Sequence, residues 1–171
     1  MAGLRPTPAR VREALFDILG ARVPGADFLD LYAGTGAVGL EALSRGAARS
    51  VFIERGRAAA RVLAANVARV APVGSTEILQ EEAGAALRRL RGRPHRFNIV
   101  FLDPPWDDAP APEVLVLAAS LLAPAGILVR EHRSGQDVSL PGEAGLRAGR
   151  SYRYGDASLS LFHRDPGPGA A

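Results

Sequence analysis

The stretch "FLDLYAGTGAVGLEAL" (Phe28–Leu43) limits the possible folds more than any other part of this chain. A short apolar run enters a turn built on Gly34, Gly36 and Gly39, spaced G-x-G-x-x-G. It leaves in a helical pattern with Leu40 and Leu43 on one side. Gly34 and Gly36 allow positive φ and let a ligand approach the backbone closely. A strand that turns directly into a helix at such a loop opens a βαβ unit, whose strands lie parallel.

The rest of the chain keeps that alternation. A helix is expected over 7–20, with the Thr7 hydroxyl as cap, Pro8 in the first turn, and Val11, Leu15 and Ile18 at helical spacing. Strands are expected at 28–33, 50–54, 76–80, 97–103 and 126–131, and helices at 37–45, 57–70, 82–90 and 113–122. Such alternation implies a parallel sheet covered by helices on both faces. The last third differs, because two strand-like runs flank Tyr154-Gly155-Asp156, a hairpin signal within 145–164. The expectation is one domain over 1–164, with its ligand-binding core at 26–131 and a disordered tail at 165–171.

Composition removes several classes. No cysteine is present, which excludes disulfides and thiolate metal sites, and no metal is expected. No apolar run approaches the roughly 18 residues of a membrane span, and the N-terminus lacks the apolar stretch of a secretory signal, so the expected location is the cytoplasm. All 21 basic residues are arginine, with no lysine, against 18 acidic ones. A net charge of +3 therefore gives a pI near 10.1, because arginine does not deprotonate in the accessible range. The pI alone is thus weak evidence for nucleic acid. Clusters at Arg5/Arg10/Arg12, Arg88–Arg96 and Arg147/Arg150/Arg153 carry more information, with solvated helix faces and loops as the plain reading of each and Arg10, Arg12, Arg133 and Arg153 as candidate nucleic-acid contacts.

The glycine loop suits either a nicotinamide dinucleotide or S-adenosylmethionine, since Glu54 at the end of the second strand would meet the adenosine ribose in both. Asp30, four residues before Gly34, tilts the choice. A pyrophosphate wants backbone N–H groups and no carboxylate beside it. The ammonium and sulfonium of S-adenosylmethionine would instead be attracted. A buried Asp30 bonded to its own loop is the alternative.

A second stretch, "VFLDPPWDD" (Val100–Asp108), decides between them. Ligands of open parallel sheets sit beyond the strands' carboxyl ends, where strand order reverses. The first and fourth strands adjoin there, so Asp30, the glycine loop and Asp103-Pro104-Pro105-Trp106 should share one cleft. An exocyclic nucleobase amine is a poor nucleophile because its lone pair is delocalised into the ring. Asp103 accepting one N–H and a carbonyl of the Pro-Pro turn accepting the other favour a pyramidal nitrogen. Trp106 would stack on the base, worth roughly 1–3 kcal/mol.

Asp/Asn-Pro-Pro-aromatic after a glycine-loop strand resembles the amino-methyltransferases of nucleic acids. Together with "RPTPARVREALFDIL" (Arg5–Leu19), "LDLYAGTGAVGLEALSRGA" (Leu29–Ala47) and "FIE" (Phe52–Glu54), it resembles the bacterial guanine-N2 methyltransferases of 16S ribosomal RNA. The resemblance runs from Arg5 to about Arg164. It implies the class I S-adenosylmethionine-dependent methyltransferase fold, an α/β Rossmann-like, seven-stranded, mostly parallel sheet ending in an antiparallel hairpin.

It further implies that Asp30, Tyr32, Ala33, Gly34, Thr35 and Gly36 hold the methionine moiety, Glu54 the ribose, and Glu82 and Ala83 the adenine side. Arg5 and Thr7 would cover the cofactor, while Asp103, Pro104, Pro105 and Trp106 hold the guanine amine. The implied partner is 16S ribosomal RNA or the assembling small subunit, with no obligate protein partner. Relatives usually carry a basic hairpin ahead of the "RPT" motif, close to which this sequence begins, and more often Asp or Asn at the position of Glu82. The competing readings are a DNA adenine-N6 or cytosine-N4 methyltransferase, an NAD-dependent oxidoreductase, and a non-catalytic RNA-binding assembly module.

Overall fold

The structure, a computed structural model, describes residues 8–166. Seven strands form one sheet in the order β3-β2-β1-β4-β5-β7-β6. The strands are β1 (Asp27–Leu31), β2 (Arg49–Ile53), β3 (Thr76–Leu79), β4 (Phe97–Leu102), β5 (Leu122–Arg133), β6 (Arg147–Tyr154) and β7 (Ala157–His163). The first five pair in parallel, and β7 lies antiparallel between β5 and β6. The expected seven-stranded fold with its C-terminal hairpin is what forms.

The helices are α1 (Ala9–Leu19), α2 (Ala37–Ser44), α3 (Arg57–Val70), α4 (Ala83–Arg91) and α5 (Pro112–Ser120). Because a parallel sheet is covered on both sides, its strands read as continuous apolar runs rather than alternating ones. Alternate residues of one strand nevertheless enter different cores. Leu29, Leu31, Val100, Leu102 and Leu128 pack with α4 and α5, whereas Phe28, Ile99, Phe101, Ile127 and Val129 pack with α1 and α2. Phe28 and Phe101 are fully buried, each contributing on the order of 1.5–3 kcal/mol.

The strand boundaries follow the sequence closely, with one difference of substance. β5 begins at Leu122, four residues before the expected start. Leu122 pairs with Phe97, the register then shifts, and pairing resumes at Ile127 opposite Ile99, so Ala123–Gly126 bulge outward. The proline and glycine of "APAG" disguise that first bridge, because the ladder skips them. Thr7, the expected cap of α1, lies outside the described residues, as does most of the expected tail. Among the described residues no helix is long and apolar enough to cross a membrane.

Pairing register sets the position of the site. Asp30 lies opposite Phe101 and Leu31 opposite Leu102. The Asp103 N–H donates to the Leu31 carbonyl at 3.3 Å, so the acidic tip of β4 stands one step beyond the end of β1.

Candidate active site

Asp30 is the most buried charged group at the carboxyl end of the sheet, with 2% of its surface exposed. Its Oδ2 accepts the Gly39 N–H at 2.9 Å. Burial pushes the carboxyl up to about 7, partly offset by that hydrogen bond, while the negative charges of Asp103 and Glu54 push it further upward. Asp30 is therefore bonded to its own loop, yet it remains a carboxylate in waiting, held where a cation would restore its charge.

The loop above it has the conformation its glycines permit. Gly34 and Gly36 adopt φ of 56° and 83°, and Gly36 ends the turn where α2 begins. Tyr32 also adopts positive φ, 65°, which a bulky residue rarely does without surroundings that enforce it. The turn is closed by Gly36 N–H donating to the Ala33 carbonyl at 2.8 Å, and the Thr35 carbonyl accepts from Asn66 of α3.

Glu54 braces the loop from β2, its two oxygens accepting the N–H groups of Gly34 at 2.9 Å and Gly56 at 2.6 Å. Gly39 is small for another reason: a Cβ there would run into the Phe52 ring and lie 3.1 Å from Asp30 Oδ2. Gly39→Ala is expected to cost about 1–3 kcal/mol of stability, read as a lowered midpoint in urea unfolding. An unchanged midpoint would show that Phe52 has room to give.

Asp103, Pro104, Pro105 and Trp106 leave the tip of β4 as expected. Pro104, Pro105 and Trp106 line a shallow hollow open to solvent, together with Arg130, Glu131 and His132 from the end of β5 and Gln136 from the turn after it. Trp106 is half-buried against the α1/α2 core. The Arg133 guanidinium lies 5.3 Å from its ring centre, a cation–π distance.

The other expected residues are placed as follows. Glu82 caps α4, is exposed, and pairs with Arg55 at 3.1 Å; Ala83 beside it is buried. Arg10 and Arg153 are exposed, whereas Arg12 is drawn to Glu41 of α2 at 2.6 Å. Arg5 and Thr7 fall outside the described residues.

Three residues escaped the sequence reading. Arg55 spans Glu82 and Asp108, tying the end of β2 to the loop after the Pro-Pro turn. Arg130, buried near Tyr32, has an Nε without a hydrogen-bond partner among the described residues. Glu131, 3% exposed, carries a carboxyl pushed up to about 8 by burial and by Asp103. One signal was available for Glu131: like Asp103, it is an acid that follows a run of core-forming residues.

The family model described as "Conserved hypothetical protein 95" matches residues 1–163. A Bacillus subtilis protein, YlbH, whose name assigns it provisionally to the rRNA methyltransferases, is 31% identical over 163 residues, covering 94% of this chain and 88% of its own length. Ribosomal RNA small subunit methyltransferase D of Escherichia coli is 46% identical over 104 residues, a segment spanning 61% of this chain but only 50% of that protein. A solved Escherichia coli structure, described as the provisional methyltransferase yhhF, superposes with a TM-score of 0.80 at 33% identity, covering 98% of this chain and 91% of that one. A hypothetical protein of Thermus thermophilus superposes at 0.79 with 32% identity, covering 94% and 89%. On the match of almost its whole length, this chain belongs to the "Conserved hypothetical protein 95" family, in the company of the small subunit methyltransferase D proteins.

Proposed function

We propose that this protein transfers a methyl group from S-adenosylmethionine to ribosomal RNA, and specifically to the exocyclic N2 amine of a guanine in 16S ribosomal RNA. The observation that carries this reading is the juxtaposition of two acidic strand tips. Asp30, one residue before the end of β1, and Asp103, one residue past the end of β4, lie at the same edge of two neighbouring parallel strands, and the Asp103 charge acts on Asp30. One carboxylate suits a cationic donor and the other an amine acceptor. The names of the relatives, rRNA methyltransferases, support methyl transfer to ribosomal RNA, the coarser part of this reading.

The residues present fit the donor. Asp30 is buried, partly protonated near neutral pH while alone, and placed to recover its full charge beside an ammonium or sulfonium. A pyrophosphate would meet that same carboxyl and be repelled, which disfavours the dinucleotide reading. Asp30, Tyr32, Ala33, Gly34, Thr35 and Gly36 would hold the methionine end, Glu54 the ribose hydroxyls, and Glu82 and Ala83 the adenine, with Arg5 and Thr7 as cover. When bound, S-adenosylmethionine supplies an already activated methyl group, so no metal is needed for the chemistry. Asp103 accepts one N–H of the amine and a carbonyl of the Pro104-Pro105 turn the other, so that the lone pair points along the line of attack. The proton lost after N–C bond formation leaves toward the Asp103 carboxylate. Trp106 stacks on the base, which the RNA must splay out of its helix to present. Arg133, and the exposed Arg10 and Arg153, would meet phosphates, while Arg12 must first release Glu41 to do so.

Two measurements test this. Calorimetric titration should show binding of S-adenosylmethionine and none of NADH. Labelled methyl transfer to naked RNA and small-subunit particles from a strain lacking the gene should yield N2-methylguanine by nucleoside mass. A target guanine replaced by inosine, which has no C2 amine, should accept nothing. Methylation of the inosine RNA, or of adenine or cytosine instead, would overturn the assignment.

A further inference from the structure

Glu131 stands beside the amine-holding residue by register alone. Leu102 of β4 pairs with Arg130 of β5, so the next step in the same parallel register brings Asp103 alongside Glu131. Alternation along the strands puts both on one face. Phe101 and Val129, two residues earlier in each strand, both enter the α1/α2 core, the face that Trp106 also packs against. Arg130 and His132 alternate to the opposite face, where Leu128 joins the α4/α5 core and His132 bonds Ser160 of β7. Glu131 is 3% exposed, lines the hollow of Pro104, Pro105 and Trp106, and its buried Oε2 has no hydrogen-bond partner among the described residues.

Such an oxygen is costly to maintain. A buried acceptor left unsatisfied forfeits on the order of 1–3 kcal/mol unless something arrives to bond it. No described residue bonds that oxygen, which leaves it able to accept a donor from whatever enters the hollow. Burial, together with the Asp103 charge, holds the Glu131 carboxyl up at about 8.

Resting on the guanine-N2 reading above, we propose that Glu131 reads the base: its carboxyl accepts the ring N1–H of guanine while Asp103 holds the adjacent C2 amine. The Watson–Crick edge of guanine presents these two donors side by side. Adenine presents a lone pair at N1, and cytosine one at N3, so each would set a lone pair against the Glu131 oxygen. A flipped base is commonly read on this edge while stacked on an aromatic ring, the part Trp106 plays here. Glu131 is thus a specificity-determining residue, separate in role from Asp103.

The experiment uses the full chain and a synthetic RNA whose mapped target position carries either guanine or 2-aminopurine. The analogue keeps the C2 amine but replaces N1–H by a lone pair. Rates are compared at one neutral pH, where guanine keeps its N1–H. The parent protein is expected to prefer guanine by about 100-fold or more in kcat/KM, the scale on which a lost hydrogen bond to a buried charge is felt. Glu131→Gln offers both an acceptor and a donor, and is expected to narrow the preference to within about 10-fold, with S-adenosylmethionine affinity unchanged. Glu131→Asp keeps the charge and should keep the preference while lowering the rate on guanine.

A parent enzyme that methylates guanine N2 but treats 2-aminopurine equally well overturns the role of Glu131 and leaves the function standing. So does a preference untouched by Glu131→Gln. A parent enzyme that methylates no guanine N2 at all sinks the function, and this role with it.

Discussion

Asp103→Ala is expected to bind S-adenosylmethionine as the parent protein does and to lose methyl transfer by about 10²–10⁴-fold, the range for removing a group that acts only on the reacting centre. The amine must give up conjugation with the purine ring before its lone pair can attack, and Asp103 supplies the acceptor that favours this. Donor binding should survive because Asp103 raises the Asp30 carboxyl. Removing it leaves Asp30 more readily ionised, not less. Asp103→Asn keeps an acceptor oxygen but no charge, so it should retain a larger share of turnover if orientation outweighs proton uptake. The comparison needs calorimetry for the donor and labelled methyl counting for turnover. Parent-like turnover in Asp103→Ala would remove this residue from the reaction.

The parts of this molecule that could be read in advance are those where backbone demands and residue chemistry coincide. The turn at Gly34 and Gly36 requires left-handed φ, and two other glycines, Gly39 and Gly56, leave space that Phe52 and Glu54 fill. The run from Phe97 to Leu102 reads as a central strand because it is buried on both faces apart from Asn98 near its start. Asp103 was visible because it ends such a run, and Asp30 because it is an acid within one, just ahead of the glycines.

What escaped depends on pairing between distant segments. Glu131 gains its meaning from the step that sets it beside Asp103, and that step follows a register shift between Phe97 and Ile99 which local sequence does not announce. Arg55 likewise reads as one arginine among many until the fold brings Glu82 and Asp108 to it across 27 and 53 residues. Arg12 shows the reverse: a basic residue that seemed free for RNA has Glu41 at 2.6 Å.

Asp30→Asn is expected to stabilise the ligand-free protein at neutral and higher pH while weakening the donor. Asp30 titrates near 3.8 when unfolded and at about 7 when folded. Between those values the native state holds a proton that the unfolded chain has released, so stability falls as pH rises through this window and levels off above it. Each pH unit is worth about 1.4 kcal/mol, an upper bound here of about 4 kcal/mol, and roughly 2 kcal/mol after relaxation of the site. Asn does not titrate, and its carbonyl oxygen can still accept the Gly39 N–H, so the variant should lack this fall.

Glu131 adds a slope of the same sign up to about 8, so the variant's curve should still descend, but less steeply. Urea unfolding at pH 4.5 and pH 8 measures the difference: parent and variant should nearly coincide at the lower pH and diverge at the higher. Donor affinity should drop by about 10–100-fold, the scale of one lost charge pair in a buried site. The strain of an acid sunk into an apolar loop is then the counterpart of its grip on a cation. Equal stability at pH 8, or unchanged donor affinity, would mean that Asp30 serves only to hold its own turn.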